Sequence, residues 1–271
     1  MDKVVLVTGA SSGIGTMIAQ ELKRTGFTVY AAARRIDKMN DLRERVIIPV
    51  FLDLTNEKSI EDCVQTILQE SGRIDVLINN AGYGSYGPIE SVSMEEAKRQ
   101  FDVNLFGMAR LIQLVLPGMR ENHCGRIINI SSMGGKIWTR FGGWYHATKF
   151  AVEGFSDCLR MEVAPFGIDV VVVEPGGIKT DWGVIAANNL KDAAKGSVYE
   201  TNANNVANSM IKNYSGNMLT EPEIVARTVK KAIVKRRPRT RYLIGFMAKP
   251  MVLIQKIFGD RVFDWVITNL S

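Results

Sequence analysis

Apolar residues fall along this chain in two alternating rhythms. Short, nearly unbroken apolar runs occur at Lys3–Thr8 (KVVLVT), Thr28–Ala33 (TVYAAA), Val46–Leu52, Ile74–Ile78 (IDVLI), Arg126–Ile130 (RIINI) and Ile168–Val173 (IDVVVV). Consecutive apolar positions predict strands covered on both faces, and Tyr242–Phe246 predicts a last, shorter one. Between the runs lie longer segments of helical spacing: from the Gly9–Gly15 turn through Leu22 to a stop at Gly26, from an N-cap at Thr55 through Ile67–Gln69, Met94–Met119, Tyr145 to a stop at Pro165 and Gly167, and Glu221–Val234. Strands alternating with helices predict an α/β fold, a doubly wound parallel sheet of about seven strands with helices on both faces. Two stretches keep neither rhythm. Asp181–Asn217, rich in Asn, Ala, Lys and Ser, reads as a mobile insertion with helical parts beside a ligand site. Arg239–Ser271 begins basic and continues apolar, with Pro250 at the start of one short helix and Gly259-Asp260 breaking it from a second.

Composition narrows the class. The 271 residues, 46% hydrophobic and 23% charged, suit one soluble domain over 1–271. The net charge of +6 is concentrated in Lys230–Arg241 (KKAIVKRRPRTR) rather than spread over a face, which argues against nucleic acid as a partner. Cys63, Cys124 and Cys158 have no metal-ligand spacing, so no metal is expected, and they read as reduced thiols. No apolar run approaches the ~18 residues of a membrane span, and the first strand begins without a leader. The expected location is cytoplasmic.

Chemistry enters at the strand ends. Gly9-Ala-Ser11-Ser12-Gly13-Ile14-Gly15 sits between a strand and a helix, where small residues let backbone N–H groups approach a pyrophosphate at a helix N-terminus. The second strand ends at Ala33 with no acid to take ribose hydroxyls. Arg34 and Arg35 follow instead, which suits the 2′-phosphate of NADP(H). Asp53-Leu54 and Asn79-Asn80-Ala81-Gly82 close the next two strands, at the edge where open sheets bind ligands. Ser132, Tyr145 and Lys149 follow in order. Tyr145 and Lys149 are four residues apart and share a helix face; an ammonium there is expected to lower the phenol pKa and ready it for proton exchange.

With Thr8-Gly9-x-x-x-Gly13-x-Gly15, Asn79–Gly82, Ser132, Tyr145 and Lys149 in this order, the chain resembles the short-chain dehydrogenase/reductase family, closely over about residues 1–180. The resemblance implies a Rossmann-type sheet with NADP(H) across its C-terminal edge and a catalytic set of Asn104, Ser132, Tyr145 and Lys149. It adds Pro175, Gly176, Ile178 and Thr180 as nicotinamide contacts. Ser12 departs from the basic residue many NADP-binding members carry in the glycine loop, so the NADP reading rests on the two arginines. Aromatic residues around the expected cleft (Tyr83, Tyr86, Trp138, Phe141, Trp144, Trp182) suggest an apolar ketone, aldehyde or alcohol, and the local wording is similar to hydroxysteroid and retinol dehydrogenases. A non-catalytic NADP-binding scaffold on the same fold is the alternative. The resemblance further implies a homodimer or homotetramer through Met94–Met119 and Tyr145–Ala164, with Ala151, Gly154, Phe155 and Cys158 along the seam. For 239–271 two readings stand: docking on the domain or a sister subunit, or peripheral contact with an anionic membrane.

Overall fold

The structure, a computed structural model, describes residues 3–270. The strands are β1 (Val4–Thr8), β2 (Thr28–Ala33), β3 (Ile48–Phe51), β4 (Val76–Asn79), β5 (Gly125–Ile130), β6 (Ile168–Pro175) and β7 (Arg241–Ile244). They form one parallel sheet in the order β3-β2-β1-β4-β5-β6-β7. In β1, Val5 and Val7 enter one core and Val4 and Leu6 the other, all buried. That is how consecutive apolar residues are satisfied in a strand covered on both sides. Helices α1 (Gly13–Arg24) and α9 (Glu223–Val234) cover one face. On the other lie α3 (Glu57–Ser71), α5 (Gly107–Glu121) and α6 (Gly143–Val163). A short α2 (Asn40–Glu44) leads into β3. The strand order reverses between β1 and β4, so the loops leaving these strands part and open a crevice at the C-terminal edge.

Several expected boundaries move. β3 begins at Ile48 rather than Val46, because Val46 takes a left-handed turn (φ 59°) and points to solvent. The N-cap of α3 is Asn56, whose Oδ1 accepts the Ser59 N–H at 2.9 Å. Thr55 is taken up by Asp53, whose Oδ1 accepts both its N–H and its hydroxyl. The segment read as one helix, Met94–Met119, is α4 (Met94–Phe101), a π turn (Asp102–Phe106) and α5 in unbroken succession. Asp181–Asn217 holds two regular helices, α7 (Trp182–Ala194) and α8 (Glu200–Ser215), whose contact is built from Ala186, Ala187, Leu190, Ala203 and Ala207.

The end of the chain is α10 (Ala248–Leu270), bent at Gly259 where φ is 71°. Its inner side docks: Met251, Phe263 and Ile267 are buried with Ile137, and Phe263 stacks edge-on to Trp138 at 5.3 Å. Trp138 Nε1 donates to Asp264 at 2.8 Å. Leu253, Ile257, Phe258 and Trp265 on the outer side are exposed. The membrane reading joined this apolar surface to the basic lead-in, and the fold separates them. Residues 235–239 precede β7 at the N-terminal edge of the sheet, whereas α10 follows its C-terminal end. Arg241, part of that basic run, is turned inward onto Glu153 (3.1 Å), Glu174 (3.2 Å) and Asp157 (2.6 Å). The Leu270 side chain and Ser271 lie outside the described part. Among the described residues no helix is long and apolar enough to cross a membrane.

Candidate active site

A cleft of about 940 Å³ runs along the C-terminal edge of the sheet, from the loop after β1 to the loop after β6. At its first end Gly9 (φ 67°) and Gly13 (φ 55°) take conformations that side-chain-bearing residues rarely adopt. The N-cap of α1, Ser12, makes no capping bond, and the first turn of the helix carries no acid. Its N–H groups therefore face the cleft with a positive dipole end and no internal anion, which fits a phosphate group. Arg35 reaches over the loop, its guanidinium 3.3 Å from Ser11 Oγ and 3.4 Å from Ser12 Oγ. Arg34 is exposed beside it.

The middle of the cleft is set by β1 and β4 together. Thr8 Oγ1 accepts the N–H groups of Asn80 (3.1 Å) and Ala81 (3.0 Å). Asn80 in turn donates to Thr8 O at 2.9 Å. Behind them Asn79 donates to Asn129, which donates to Ser156, a buried amide chain that ties β4 to β5 and α6.

Asn104 lies in the π turn, where the extra residue per turn lets a polar side chain leave the helix surface. It is 3% exposed. Its Oδ1 accepts the Tyr83 N–H (3.1 Å), and its Nδ2 donates to Tyr83 O (2.9 Å) and Thr148 Oγ1 (3.0 Å). The space that a Cβ on Gly82 would fill is 3.1 Å from Asn104 Oδ1 and 3.8 Å from Lys149 Nζ.

At the far end, Ser132 leaves β5 while Tyr145 and Lys149 share a face of α6. Ser132 Oγ accepts the Gly134 N–H at 3.0 Å and donates to Pro175 O at 3.4 Å. Lys149 Nζ donates to Ile130 O at 3.0 Å and lies 5.9 Å from the Tyr145 ring centre. Burial pulls the lysine down to about 8, with Glu153 one turn along working the other way. The expected lowering of the phenol by Lys149 is not found. Burial pushes Tyr145 up, Tyr86 adds to the rise, and a hydrogen bond with Ser132 only partly offsets them. The rings of Trp182 (5.0 Å) and Tyr86 (5.9 Å) cover it. The phenol therefore stays protonated at neutral pH under an apolar cover.

The structure brings Gly9, Ser11, Ser12, Gly13, Ile14, Arg34, Arg35, Asp53, Leu54, Asn80, Ala81, Gly82, Ser132, Tyr145, Lys149, Pro175, Gly176, Ile178 and Thr180 onto one cleft wall. Gly15 and Asn104 stand one layer back. Gly15 serves packing rather than contact: a Cβ there would lie 2.3 Å from Gly9 O. Thr180 closes over the glycine loop, its Cγ2 3.5 Å from the Cβ position of Gly13. Sequence reasoning missed Thr148 and Tyr214. Thr148 differs from its neighbours by no pattern signal. Tyr214 comes from α8 to within 6.3 Å of the Trp182 ring, a pairing no local period reports.

Comparison with known proteins agrees with the geometry. The short chain dehydrogenase family model matches residues 3–191. An oxidoreductase, BOA17, of Botryotinia fuckeliana is 36% identical, over 90% of this chain and 89% of its own. Retinol dehydrogenase 16 of Rattus norvegicus is 33% identical, over 97% of this chain and 88% of its own. A short-chain dehydrogenase from Streptomyces avermitilis superposes with a TM-score of 0.81 at 32% identity, covering 100% of this chain and 95% of that one. A serine dehydrogenase complexed with NADP+ gives 0.78 at 27% identity, covering 90% and 95%. The phosphate-ready α1 terminus, the amide-lined switch point and the Ser-Tyr-Lys end of one cleft therefore have a common explanation: the chain is an oxidoreductase of the short-chain dehydrogenase/reductase family, built for a nicotinamide cofactor.

Proposed function

We propose that this oxidoreductase uses NADP(H) to interconvert an apolar ketone or aldehyde and its alcohol. The observation that carries the reading is that the buried Tyr145, Ser132 and Lys149 meet at the end of the cleft that begins at the glycine loop. Gly9–Ile14 and the α1 terminus would hold the pyrophosphate, Asp53 and Leu54 the adenine end, and Pro175, Gly176, Ile178 and Thr180 the nicotinamide end. Bound NADPH supplies the hydride. Ser132 Oγ then orients the carbonyl oxygen, and Tyr145 gives it a proton as charge develops, or takes one in the reverse direction. Lys149 holds positive charge beside the phenol and reaches the ribose side. Asn104 Oδ1 and Lys149 Nζ both approach Gly82, an arrangement that suits a proton path through water between them. Support for NADP(H) over NAD(H) comes from Arg35 lying against the two loop serines, with Arg34 adjacent. The NADP-bound neighbour points the same way. Support for an apolar substrate comes from the Tyr86, Trp182 and Tyr214 lining and from similarity to a retinol dehydrogenase.

The test is oxidation of NADPH and NADH with retinal, steroids and simple ketones. Tyr145→Phe should lower kcat by about 10²–10⁴ while cofactor binding persists. Arg35→Ala should raise KM for NADPH and leave KM for NADH unchanged. Near-normal kcat in the first variant sinks the mechanism, and equal use of both cofactors by the wild type sinks the NADP assignment. A homo-oligomer belongs to the same reading. Phe106 and Phe150 are exposed and nothing lies within 4 Å of a Cβ on Gly154, so the α5–α6 side offers an uncovered face. Sedimentation that shows only monomer at micromolar concentration refutes it.

A further inference from the structure

The chain has only two histidines. One of them, His146, follows Tyr145 directly, and one residue along a helix is a rotation of about 100°. Its ring therefore leaves the Tyr145–Lys149 face and enters the segment that joins β5 to α6. There it is 7% exposed at the edge of the cleft, set among loop backbone and edge-on to the rings of Tyr145 (5.6 Å) and Tyr86 (6.3 Å). A Cβ on Gly134 would lie 2.9 Å from its Nδ1, and one on Gly142 would lie 2.8 Å from its Nε2. The segment thus wraps the imidazole, with a glycine on either side because any larger residue would meet the ring.

The hydrogen bonds fix the tautomer. Both the Thr139 hydroxyl (2.9 Å) and the Thr139 backbone N–H (3.0 Å) face Nε2, and since an N–H is only a donor, Nε2 presents its lone pair. The proton is then on Nδ1, which donates to Gly134 O at 2.9 Å. The same Gly134 gives its N–H to Ser132 Oγ at 3.0 Å. A continuous chain runs from Thr139 through His146 and Gly134 to the hydroxyl that orients the carbonyl. The other contact of that hydroxyl with the backbone, to Pro175 O, is long at 3.4 Å.

We infer that His146 is a positioning residue for this reaction: its neutral imidazole, clamped between Gly134 and Thr139, sets where Ser132 Oγ stands. The inference rests on the oxidoreductase reading and deepens it. His146 acts through Ser132, so removing it matters only while Ser132 is there to be placed.

A double-mutant cycle reads this directly. His146→Leu should lower kcat by about 10-fold to 100-fold, the scale of a misplaced catalytic group, with KM for NADPH unchanged. In a Ser132→Ala background the same substitution should change kcat by less than about twofold. Equal losses in both backgrounds, the mark of general loosening, overturn the inference. Should His146→Leu not fold, two smaller changes decide. His146→Asn keeps a donor near the Nδ1 position, towards Gly134, and should retain more kcat than His146→Gln, which keeps only the Nε2 side. The reverse order overturns the inference, as does an Nε2–H tautomer in the ¹⁵N spectrum. A wild type that turns over no carbonyl with either cofactor removes the functional reading and this role with it. An active wild type with additive losses removes this role alone.

Discussion

Replacing Thr8 with valine isolates the contact that joins the two strands at the switch point. The substitution exchanges a hydroxyl for a methyl group of similar size, so packing changes little while an acceptor disappears. Thr8 is 1% exposed, and its Oγ1 accepts from Asn80 and Ala81 while donating to Ile78 O at 3.3 Å. The Asn80 N–H keeps a second acceptor, Ile78 O at 3.1 Å, but the Ala81 N–H loses its bond. A donor left without a partner costs about 1–3 kcal/mol, and the lost hydroxyl bond adds about 1 kcal/mol. Because Ala81 borders the cleft and water reaches it, the lower half of that sum applies, about 2–3 kcal/mol. Asn80–Gly82 are then tied to β1 only through the Asn80 side chain on Thr8 O, so KM for the cofactor should rise together with the loss of stability. Urea unfolding gives the energy from the midpoint at unchanged slope, and initial rates give KM. Thr8→Ser restores the hydroxyl and should recover most of both. A Thr8→Val protein within about 0.5 kcal/mol of wild type, the scatter of neutral surface changes, or a serine variant as weak as the valine one, refutes the reasoning.

Two further predictions concern the buried lysine and the docked terminus. Burial holds Lys149 at about 8, below its ordinary 10.5, so between these values the unfolded chain binds more protons and stability rises with pH. From pH 7.5 to 10 the cofactor-free wild type should gain about 2–3 kcal/mol relative to Lys149→Met, and parallel pH profiles refute this. Phe263→Ala empties a fully buried site against Trp138 and Ile137 and should cost about 3 kcal/mol, at the low end for buried phenylalanine, measured by urea unfolding. Because Ile137 also lines the cleft, KM for the carbonyl should rise in the same variant, and an unchanged KM separates α10 from the site.

What the sequence disclosed followed from how strictly each position is constrained. β2 runs over Thr28–Ala33 as its pattern predicts, because every residue after Thr28 is buried. β3 is half covered at an edge, so its apolar run overstated its length. The α7–α8 pair escaped the period test because alanine forms its contact, and alanine hardly raises an apolar signal. Arg241 was only the last member of a basic run in the sequence, and the fold sets it over three carboxylates from α6 and β6. Ser132, Tyr145 and Lys149 were legible because their order and spacing are joint constraints. His146 was not, since its partners, the Thr139 hydroxyl apart, are backbone atoms, and backbone atoms leave no letter in a sequence. The phenol expectation erred for a related reason: spacing shows that a cation is near but not that rings from α7 and the β4 loop remove the water.

The π turn at Asp102–Phe106 ties the numbering of α4 to that of α5. Each residue turns an α-helix by about 100°, so one residue fewer there would regularise the hydrogen bonds and swing α4 by that angle. Gln100, fully buried and accepting the Ser85 N–H at 3.0 Å, would be carried off its partner, and Ala97 would leave the interior with it. Nor would Asn104 keep its place between Tyr83 and Thr148. Length in this stretch is therefore held by geometry on both sides. Single-residue insertions or deletions between 102 and 106 should be excluded even where substitutions are tolerated, whereas exposed turns such as that at Gly196, with nothing within 4 Å of its Cβ position, carry no such constraint.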